Sequence, residues 1–399
     1  MREWAVVDVA ELREDTPGCA GVVFLDNAGA SLVPRQVHRA VVEHLELETR
    51  VGGYEAQDLA AGALAQTSEQ VAGLIGADPG EVVFFEGASQ AWSQALGAVE
   101  LEPGQRVLTT TSEYASNGVG LLRMARLREV RVQVVPDDAQ GVLDLGVLEA
   151  ELARGDVGLV AINHMPTHSG LVNPAEAVGV LCRRFGVRYL LDACQSVGQW
   201  EVDVERIGCD LLSATGRKFV RAPRGTGFLY VRSGARLGEP LLVNHIGGEW
   251  SGPQEYRVAP GAAGFASFEH AVAAQIGLGV AARYARWVGM GWARERIGGL
   301  AGLLRAQLGQ VAGVRVHDRG RELSGIVTFS VAGRESAWVV KALREQGVRT
   351  SLSRPADQVW AQEPAQGQGG AQAVVRASVH YYNTEAELER VVELVRSLA

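Results

Sequence analysis

The sequence predicts an α/β protein with two domains: a large domain built on a mostly parallel seven-stranded sheet, and a smaller α+β domain at the C-terminal end. Two observations predict this fold. Between residues 80 and 232, seven short apolar runs alternate with helix-like stretches, and strands that are apolar throughout indicate a sheet buried on both faces. The chain also has 399 residues, more than one compact core usually holds.

The strands and helices of the large domain, which we expect to cover residues 20–260, alternate in sequence order. The predicted strands are Val82–Phe85, Arg106–Thr110, Arg131–Val135, Leu159–Asn163, Arg188–Leu191, Leu211–Ser213 and Gly227–Val231. The predicted helices between them are Gln90–Val99, Gly118–Leu127 and Pro174–Phe185. This alternation indicates strand–helix–strand units, which place parallel strands side by side.

The rest of the chain predicts a smaller domain of residues 261–399, completed by residues 1–19. Residues 236–268 are rich in Gly and Pro and are predicted to form a long loop. Residues 362–372 have the composition of a mobile loop. The helices and strands predicted for the small domain are His270–Val288, Trp292–Leu308, Val314–His317 and Gly325–Val331.

Composition and charge disfavour several functional classes. A net charge of -8 argues against a nucleic-acid-binding surface, which needs a clustered basic face. No window of 18 apolar residues occurs, so no membrane span is expected. The first residues have no basic stretch followed by an apolar run, and a cytoplasmic protein without a signal peptide is expected. The four cysteines have no CxxC spacing, which predicts reduced thiols and neither a metal site nor disulfides.

Residues whose side chains could bind a ligand or take part in a reaction cluster at predicted strand ends, where open α/β sheets bind their ligands. The stretch 87–89, with Ala88 and Ser89, follows the strand Val82–Phe85 and opens a helix. Small residues at such a turn expose backbone N–H groups and a hydroxyl to an anion, and the helix dipole adds to the attraction. A plain turn with a helix cap explains the same stretch.

Asp192 follows the predicted strand Arg188–Leu191. A carboxylate at a buried strand end needs a partner. A pyridinium N–H would supply one, and the carboxylate would keep that ring protonated as an electron sink. A helix cap or a loop anchor explains Asp192 equally well.

Lys218 follows the predicted strand Leu211–Ser213, is flanked by Thr215 and Arg217, and precedes the Gly-rich run 223–227. Hydroxyl and guanidinium groups around an amine suit a phosphate ester, and a neighbouring cation would lower the pKa of the lysine. A lone lysine would usually be a solvated surface group. Taken with the phosphate-binding turn and the strand-end aspartate, however, Lys218 predicts a pyridoxal-phosphate (PLP) site in which it forms the Schiff base.

Arg376 lies late in the chain, in a run of small and apolar residues at 374–378. A guanidinium there could make a two-pronged contact with the carboxylate of an amino-acid substrate. An exposed arginine on an edge strand is the alternative. The prediction of a small amino-acid substrate depends on this residue.

These stretches resemble the class V aminotransferase family, which includes the cysteine desulfurases, over nearly the whole chain. Residues 25–29 (LDNAG) are similar to its opening motif, 192–198 (DACQSVG) to its DA-x-Q-x-x-G motif, and 213–218 (SATGRK) to its lysine motif. The resemblance implies the fold type I architecture, a PLP cofactor and a homodimer with shared active sites.

The resemblance also implies a role for each site residue. Asp192 would pair with the ring nitrogen and Gln195 with the ring hydroxyl region, and Tyr114 stands where the family stacks a histidine. Stacking needs only a planar ring, so that role would survive. Thr167 stands where the family often has Asn near the ring oxygen. The phosphate would be held by Ala88, Ser89, Thr215 and Arg217, with Arg224 and Thr226 reaching across the dimer interface to the phosphate of the neighbour.

The substrate would be bound by Arg376, which matches the family's carboxylate-binding arginine, and by Asn27 and His164. His164 and His168 are also candidate general acids, although a purely structural role explains both. Residues 349–375 contain no cysteine, whereas desulfurases need a mobile nucleophilic cysteine there. A desulfurase that stores sulfur as a protein persulfide is therefore not expected.

Tyr114 and the Pro-Thr loop at 166–167 are similar to those of C–S lyases, such as hercynylcysteine sulfoxide lyase-like proteins and the PLP enzymes of lincosamide antibiotic pathways. The resemblance therefore predicts a C–S β-lyase that releases thiol, pyruvate and ammonia from a cysteine S-conjugate. Transamination or epimerisation of a small amino acid is the alternative, and decarboxylating oxidative deamination of an S-conjugated cysteine is a third possibility. A PLP-sensing binding module would need a DNA-binding domain, for which the chain has no room.

Overall fold

The computed structural model of the protein describes residues 8–357, 360 and 372–399. The predicted mobile loop at 362–372 lies, except for its last residue, outside the described residues. In the described part the strands are β1 (Val23–Phe24), β2 (Val82–Phe85), β3 (Arg106–Thr110), β4 (Arg131–Val135), β5 (Val157–Asn163), β6 (Arg188–Asp192), β7 (Leu211–Thr215), β8 (Gly227–Val231), β9 (Gly248–Gly252), β10 (Glu255–Val258), β11 (Val314–Val316), β12 (Ile326–Val331), β13 (Val348–Arg349), β14 (Ser351–Ser353) and β15 (Val374–Ser378). The α-helices are α1 (Val9–Glu14), α2 (Arg35–Val51), α3 (Gly53–Leu59), α4 (Ala61–Ile75), α5 (Ala88–Ala98), α6 (Ala115–Arg128), α7 (Leu145–Leu152), α8 (Ala175–Phe185), α9 (Val204–Ile207), α10 (Val272–Val288), α11 (Met290–Gly309), α12 (Ser336–Glu345) and α13 (Glu385–Leu398).

The large sheet has seven strands in the order β2-β8-β7-β6-β5-β3-β4. Strand β8 runs antiparallel to both neighbours, and the remaining neighbours pair in parallel. This arrangement confirms the predicted mostly parallel seven-stranded sheet. Strands β6 and β7 extend further than predicted, so that Asp192 and Thr215 are the last residues of their strands.

The large sheet is mostly apolar because helices cover both of its faces. Successive residues of one strand pack into separate cores. Leu190 and Leu211 join the core that contains Trp92, and Leu191 and Leu212 join a second core with residues of α4 and α8. Strands β5 and β7 are therefore buried at every position, and β6 is buried at every position after Arg188.

A second, antiparallel sheet of four strands has the order β11-β12-β15-β14 and packs with α11, α12 and α13 around its own apolar core. Helix α10 contributes to both cores: Leu278 and Ala281 join the core of the large sheet, and Tyr284 and Val288 join that of the small one. The domain boundary after residue 260 stays a prediction. No helix in the described part is long and apolar enough to cross a membrane, and the cytoplasmic location also stays a prediction.

The prediction of an unbroken loop over 236–268 is wrong, because β9 and β10 form an antiparallel hairpin in which Tyr256 pairs with Trp250. Nearly every residue of the two strands is exposed or half-buried. A strand with no buried face lacks the apolar alternation that marks strands in a sequence. The Gly-Pro pair at 252–253 marks the turn of this hairpin.

Arg221 is a fully buried arginine three residues after Lys218, and its φ of 65° lies in the left-handed region that non-glycine residues rarely adopt. Its guanidinium lies over the rings of Tyr284, Tyr381 and Tyr382. No described carboxylate forms a salt bridge with it. The N–H groups of the Arg221 guanidinium donate hydrogen bonds to the Leu32 carbonyl (2.9 Å), the Tyr381 hydroxyl (3.1 Å) and the Thr16 hydroxyl. The side chain thus joins the lysine loop to the N-terminal segment and to the chain after β15.

Replacing Arg221 with Met should lower the free energy of unfolding by about 2–4 kcal/mol, because three buried acceptors lose their donor and the aromatic cage loses its cation. Chemical denaturation monitored by circular dichroism measures this loss. Arg221→Lys, which keeps the charge but lacks the planar fork, should recover only part of it. A Met variant as stable as the wild type would show that the cage does not stabilise the fold.

Candidate active site

The carboxyl ends of β5, β6 and β7 form one edge of the large sheet, where the strand register places Asn163, Asp192 and Ser213 side by side. Three residues after the end of β7, the chain reaches Lys218. Side chains from this edge and from the N-terminal ends of α5 and α6 surround one cavity. Its lining consists of Ala88, Ser89, Tyr114, Asn117, Asn163, Met165, Thr167, Asp192, Cys194, Gln195, Thr215, Arg217 and Lys218.

Asp192 is buried, and both of its carboxylate oxygens accept hydrogen bonds from the protein. Oδ1 accepts from the backbone N–H of Cys194 (2.8 Å), and Oδ2 accepts from Nδ2 of Asn117 (2.7 Å). Each carboxylate oxygen can accept a further bond, so a cationic N–H donor in the cavity could still be bound.

Lys218 is half-buried at the same edge. Burial lowers the pKa of this amine, and the nearby cations Arg217 and Arg376 lower it further, against the opposing influence of Cys194 and Asp192. A lowered pKa increases the fraction of neutral amine, which is the nucleophilic form. The structure thus brings together, in one cavity, the lysine and the aspartate that the sequence singled out.

Gln195, Thr167 and Arg376 form a chain of hydrogen bonds beside the cavity. The Thr167 hydroxyl accepts from Nε2 of Gln195 and from Nη1 of Arg376, each at 2.9 Å. A hydroxyl has two lone pairs and one proton, so both of its acceptor positions are used and its proton remains free to donate. Oε1 of Gln195 is buried without a hydrogen-bond partner among the described residues.

Arg376 is buried, and both of its Nη atoms donate hydrogen bonds to the protein. Its Nη1 also donates to the Thr167 carbonyl (3.0 Å), and its Nη2 donates to Oδ1 of Asp26 (3.1 Å). Its Nε is buried and finds no partner among the described residues. An unpartnered buried donor is costly, so an anion bound at Nε would be stabilised.

The N-terminus of α5 contributes the anion-binding part of the cavity. This helix begins at Ala88 directly after β2, and its first backbone N–H groups have no partner within the helix. Gly227 on β8 makes this approach possible, because a Cβ there would lie 2.8 Å from the backbone nitrogen of Ala88. Thr215 and Arg217 line the same cavity, although Nη1 of Arg217 already donates to the Gly29 carbonyl (2.6 Å).

Five residues predicted for the site do not line this cavity: Arg224, Thr226, His164, Asn27 and Arg376, the last of which bonds to the lining residue Thr167. Arg224 is exposed, and Thr226 lines a larger neighbouring cavity that Ser89 also borders. Their predicted reach across a dimer interface stays a prediction. His164 is buried and its Nδ1 has no partner in the described part of the chain.

Asn27 is not among the residues that line the cavity, and its predicted contact with the substrate stays a prediction. It is completely buried, its Nδ2 donates to the Ser378 carbonyl (2.7 Å), and its Oδ1 accepts from the Tyr382 hydroxyl. These bonds tie the N-terminal segment to the end of β15.

The sequence prediction missed Asn117, Asn163 and Met165, which all line the cavity. Asn163 could have been found, because it ends the predicted strand Leu159–Asn163, and residues at strand ends in open α/β sheets are candidates for ligand binding. Asn117 is the third residue of α6 and has no strand-end position that would have singled it out. Met165 carries no signal that distinguishes it from a core residue.

Comparison with known proteins identifies the family. The sequence profile of "Aminotransferase class-V" matches residues 23–391. A "Probable cysteine desulfurase" of Methanothermobacter thermautotrophicus is 30% identical, with 98% of each chain aligned. The cysteine desulfurase IscS of Cronobacter sakazakii is 28% identical over 94% of this chain and 92% of its own. The chain belongs to the class-V aminotransferase family.

Solved structures agree with the fold of this family. The apo structure of a cysteine desulfurase from Thermococcus onnurineus has a TM-score of 0.89 at 24% identity, and covers 100% of this chain and 99% of its own. The cystine C–S lyase C-DES, in complex with its reaction product cysteine persulfide, has a TM-score of 0.83 at 21% identity over 96% of this chain and 99% of its own. This class-V chain is a PLP-dependent enzyme of fold type I.

The cavity fits PLP on the evidence of its own groups. The unpartnered Oε1 of Gln195 would accept a hydrogen bond from the ring hydroxyl, and the backbone N–H groups at the N-terminus of α5 would donate to the phosphate. Asp192 retains acceptor capacity for a ring N–H, Tyr114 offers a planar ring, and Lys218 offers an amine. The individual roles of these residues stay predictions.

Two buried histidines, His164 and His168, give this class-V enzyme a testable pH dependence. Burial, with Arg294 nearby, lowers the pKa of His164 from 6.5 to about 4, and burial, with Arg376 nearby, lowers that of His168 to about 3. Each folded-state pKa lies below the unfolded one, so the unfolded chain binds protons first as the pH falls. The stability due to the neutral rings is thus complete above pH 6.5 and is lost as the pH falls toward 4.

Around pH 5 the free energy of unfolding should rise with pH, and we expect each histidine to contribute roughly 1 kcal/mol per pH unit to that slope. Replacing His164 or His168 with Gln should reduce that slope, measured by denaturant unfolding between pH 7.5 and 4.5. The exposed His38, changed to Gln, is the control and should leave the slope as in the wild type. Equal slopes in all variants would mean that neither ring is kept neutral.

Proposed function

We propose that the protein is a PLP-dependent C–S β-lyase that acts on a cysteine S-conjugate. The overall reaction adds water and releases the thiol, pyruvate and ammonia. Named relatives are cysteine desulfurases, which also act on a carbon–sulfur bond, and a cystine C–S lyase shares the fold. The proposal differs from desulfuration in the fate of the sulfur, which would leave on a small thiol.

The state of the cysteines supports this choice over a desulfurase. The chain has four, and Cys182, Cys194 and Cys209 are buried. Burial raises the pKa of all four thiols, that of Cys19 to about 11, so none is a thiolate at neutral pH. The thiolate is the form that attacks sulfur. Residues 349–375 contain no cysteine at all, so no nucleophile on that segment can accept sulfur.

The site residues would divide the reaction among them. Bound PLP would withdraw electrons from Cα of the amino acid, which makes its proton acidic. Lys218, with its lowered pKa, would take that proton, and Asp192 would hold the ring-nitrogen proton that keeps the electron sink effective. Arg376, whose Nε has no partner among the described residues, would bind the carboxylate and thereby present the Cα–H bond to Lys218.

Lys218 should be the attachment point of the cofactor, since it is the amine that lines the cavity. Purified protein should be yellow, and borohydride reduction followed by peptide mass spectrometry should find the pyridoxyl group on the peptide of Lys218. Lys341, on α12, is the control peptide and should carry no label. Labelling of Lys341 in place of Lys218 would overturn the site.

Arg376→Ala should raise KM and lower kcat together, because the carboxylate contact both binds the substrate and orients Cα–H. We expect roughly a 100-fold or larger loss in kcat/KM. Arg349→Ala is the matched control, since that side chain donates to the Arg344 carbonyl and has no place in the cavity. An increase in KM with unchanged kcat would show that Arg376 binds without orienting.

The products separate the candidate reactions when the wild type is given a panel of cysteine S-conjugates. A lyase should release pyruvate and thiol in equal amounts. Alanine with sulfane sulfur would instead establish a desulfurase, and a keto acid still bearing its sulfur would establish an aminotransferase. Carbon dioxide release with oxygen uptake would establish the oxidative branch.

We also propose that the enzyme is a homodimer, as closed two-fold assemblies are common among soluble enzymes. Large apolar side chains are exposed near the cavity that Thr226 borders: Leu242, which lines that cavity, is 71% exposed, and Trp250 on the hairpin is 78% exposed. The rings of Tyr54 and Phe268 contact each other in the same region. Exposed apolar surface of this kind is typical of an interface.

Light scattering should therefore give twice the 42.5 kDa of one chain. The double variant Leu242→Glu with Trp250→Glu should be monomeric, because two charges would be buried in an apolar contact. Trp338→Glu, at an exposed Trp on α12, is the control and should remain dimeric. A monomeric wild type that binds PLP tightly would contradict the proposal.

A further inference from the structure

Glu113 is a buried carboxyl group that the proposed chemistry does not use. It lies between β3 and α6, is completely buried, and forms no salt bridge with any described cation. Burial, and then repulsion by Asp192, raises the pKa of Glu113 to about 8. The group is therefore mostly protonated at neutral pH, and a protonated acid avoids the cost of a buried unpaired charge.

The hydrogen bonds of Glu113 locate its proton. Oε1 accepts from the backbone N–H of Tyr114 (2.8 Å) and from Nδ2 of Asn117 (3.0 Å), so both of its lone pairs are used. Oε2 lies 3.4 Å from the hydroxyl of Thr109. The proton therefore belongs on Oε2, and Oε1 serves only as an acceptor.

Asn117 links Glu113 to Asp192. Its Nδ2 has two hydrogens, one donated to Oε1 of Glu113 (3.0 Å) and the other to Oδ2 of Asp192 (2.7 Å). The reverse amide orientation would place its oxygen against two carboxyl oxygens. Glu113 thus fixes one N–H of the amide and directs the other at Asp192, while the same oxygen fixes the backbone of Tyr114, whose ring lines the cavity.

We propose that Glu113 is a positioning residue, which acts through Asn117 to hold the Asp192 carboxylate against the ring nitrogen of the cofactor. This inference rests on the proposed role of Asp192 and is independent of which bond of the substrate breaks. Without Glu113, the amide of Asn117 can rotate away and one of the two hydrogen bonds to Asp192 is lost. The carboxylate is then held by the Cys194 N–H alone.

The two variants Glu113→Gln and Glu113→Leu isolate the acceptor at Oε1. Gln has the shape and hydrogen bonds of a protonated Glu, whereas Leu has a similar size and accepts nothing. The protein is loaded with PLP labelled with 15N at the ring nitrogen, and the 15N chemical shift reports protonation of that nitrogen without any turnover. Thermal unfolding of each variant reports its stability separately.

We expect wild type and Glu113→Gln to show the shift of a protonated ring nitrogen. Glu113→Leu should move the shift toward the unprotonated value and weaken PLP binding about tenfold, because one charge-assisted hydrogen bond to Asp192 is lost. Asn117→Ala breaks the same link with Glu113 in place and should give the same two changes. It therefore supplies the test if Glu113→Leu does not fold.

Asp192→Asn distinguishes failure of this inference from failure of the site. Its ring nitrogen should be unprotonated, and an unchanged shift in this variant would mean that Asp192 is not the partner of the ring. If Asp192→Asn loses the protonated signal while Glu113→Leu and Asn117→Ala keep it, the positioning role is wrong. If Glu113→Gln changes the 15N shift as much as Glu113→Leu does, the proposal is also overturned. The charge of Glu113 would then matter, and not the hydrogen-bond acceptor at Oε1.

Discussion

The site depends on one constraint, the parallel register of β5, β6 and β7. That register places Asn163 beside Asp192 and Asp192 beside Ser213, so the carboxylate stands at the centre of the sheet edge. Parallel strands that are buried on both faces cannot slip by one residue without moving apolar side chains from one core to the other. The same packing that stabilises the large domain therefore fixes the position of Asp192.

A close backbone contact then fixes the lysine loop relative to that carboxylate. Gly198, in the segment that follows Asp192, has a φ of 95°, and a Cβ there would lie 2.3 Å from the backbone carbon of Phe219. Only glycine adopts this left-handed conformation easily and has no Cβ that would clash with Phe219. Any larger residue would push the Phe219 segment, and Lys218 next to it, away from the sheet edge.

Much of the fold could be predicted because burial on both faces gives strands a distinct signal. Four of the seven large-sheet strands begin and end where the sequence placed them, among them Val82–Phe85 and Gly227–Val231. The β9/β10 hairpin was missed because its strands bury no face. At the site, Asp192 and Lys218 could be predicted because strand ends in α/β sheets face ligands. The hydrogen bonds of Asn27 could not be predicted, because its partners Ser378 and Tyr382 lie some 350 residues away in sequence.

The proposed chemistry requires the cofactor ring to lie at the carboxyl edge of β6, between Asp192 and Lys218. A crystal structure of the protein with PLP tests this position most directly. We expect electron density for the ring beside Tyr114, with the ring nitrogen facing the Asp192 carboxylate and density continuous with Nζ of Lys218. Density for the ring in the larger cavity beside Leu242 and Thr226, away from Lys218, would contradict it.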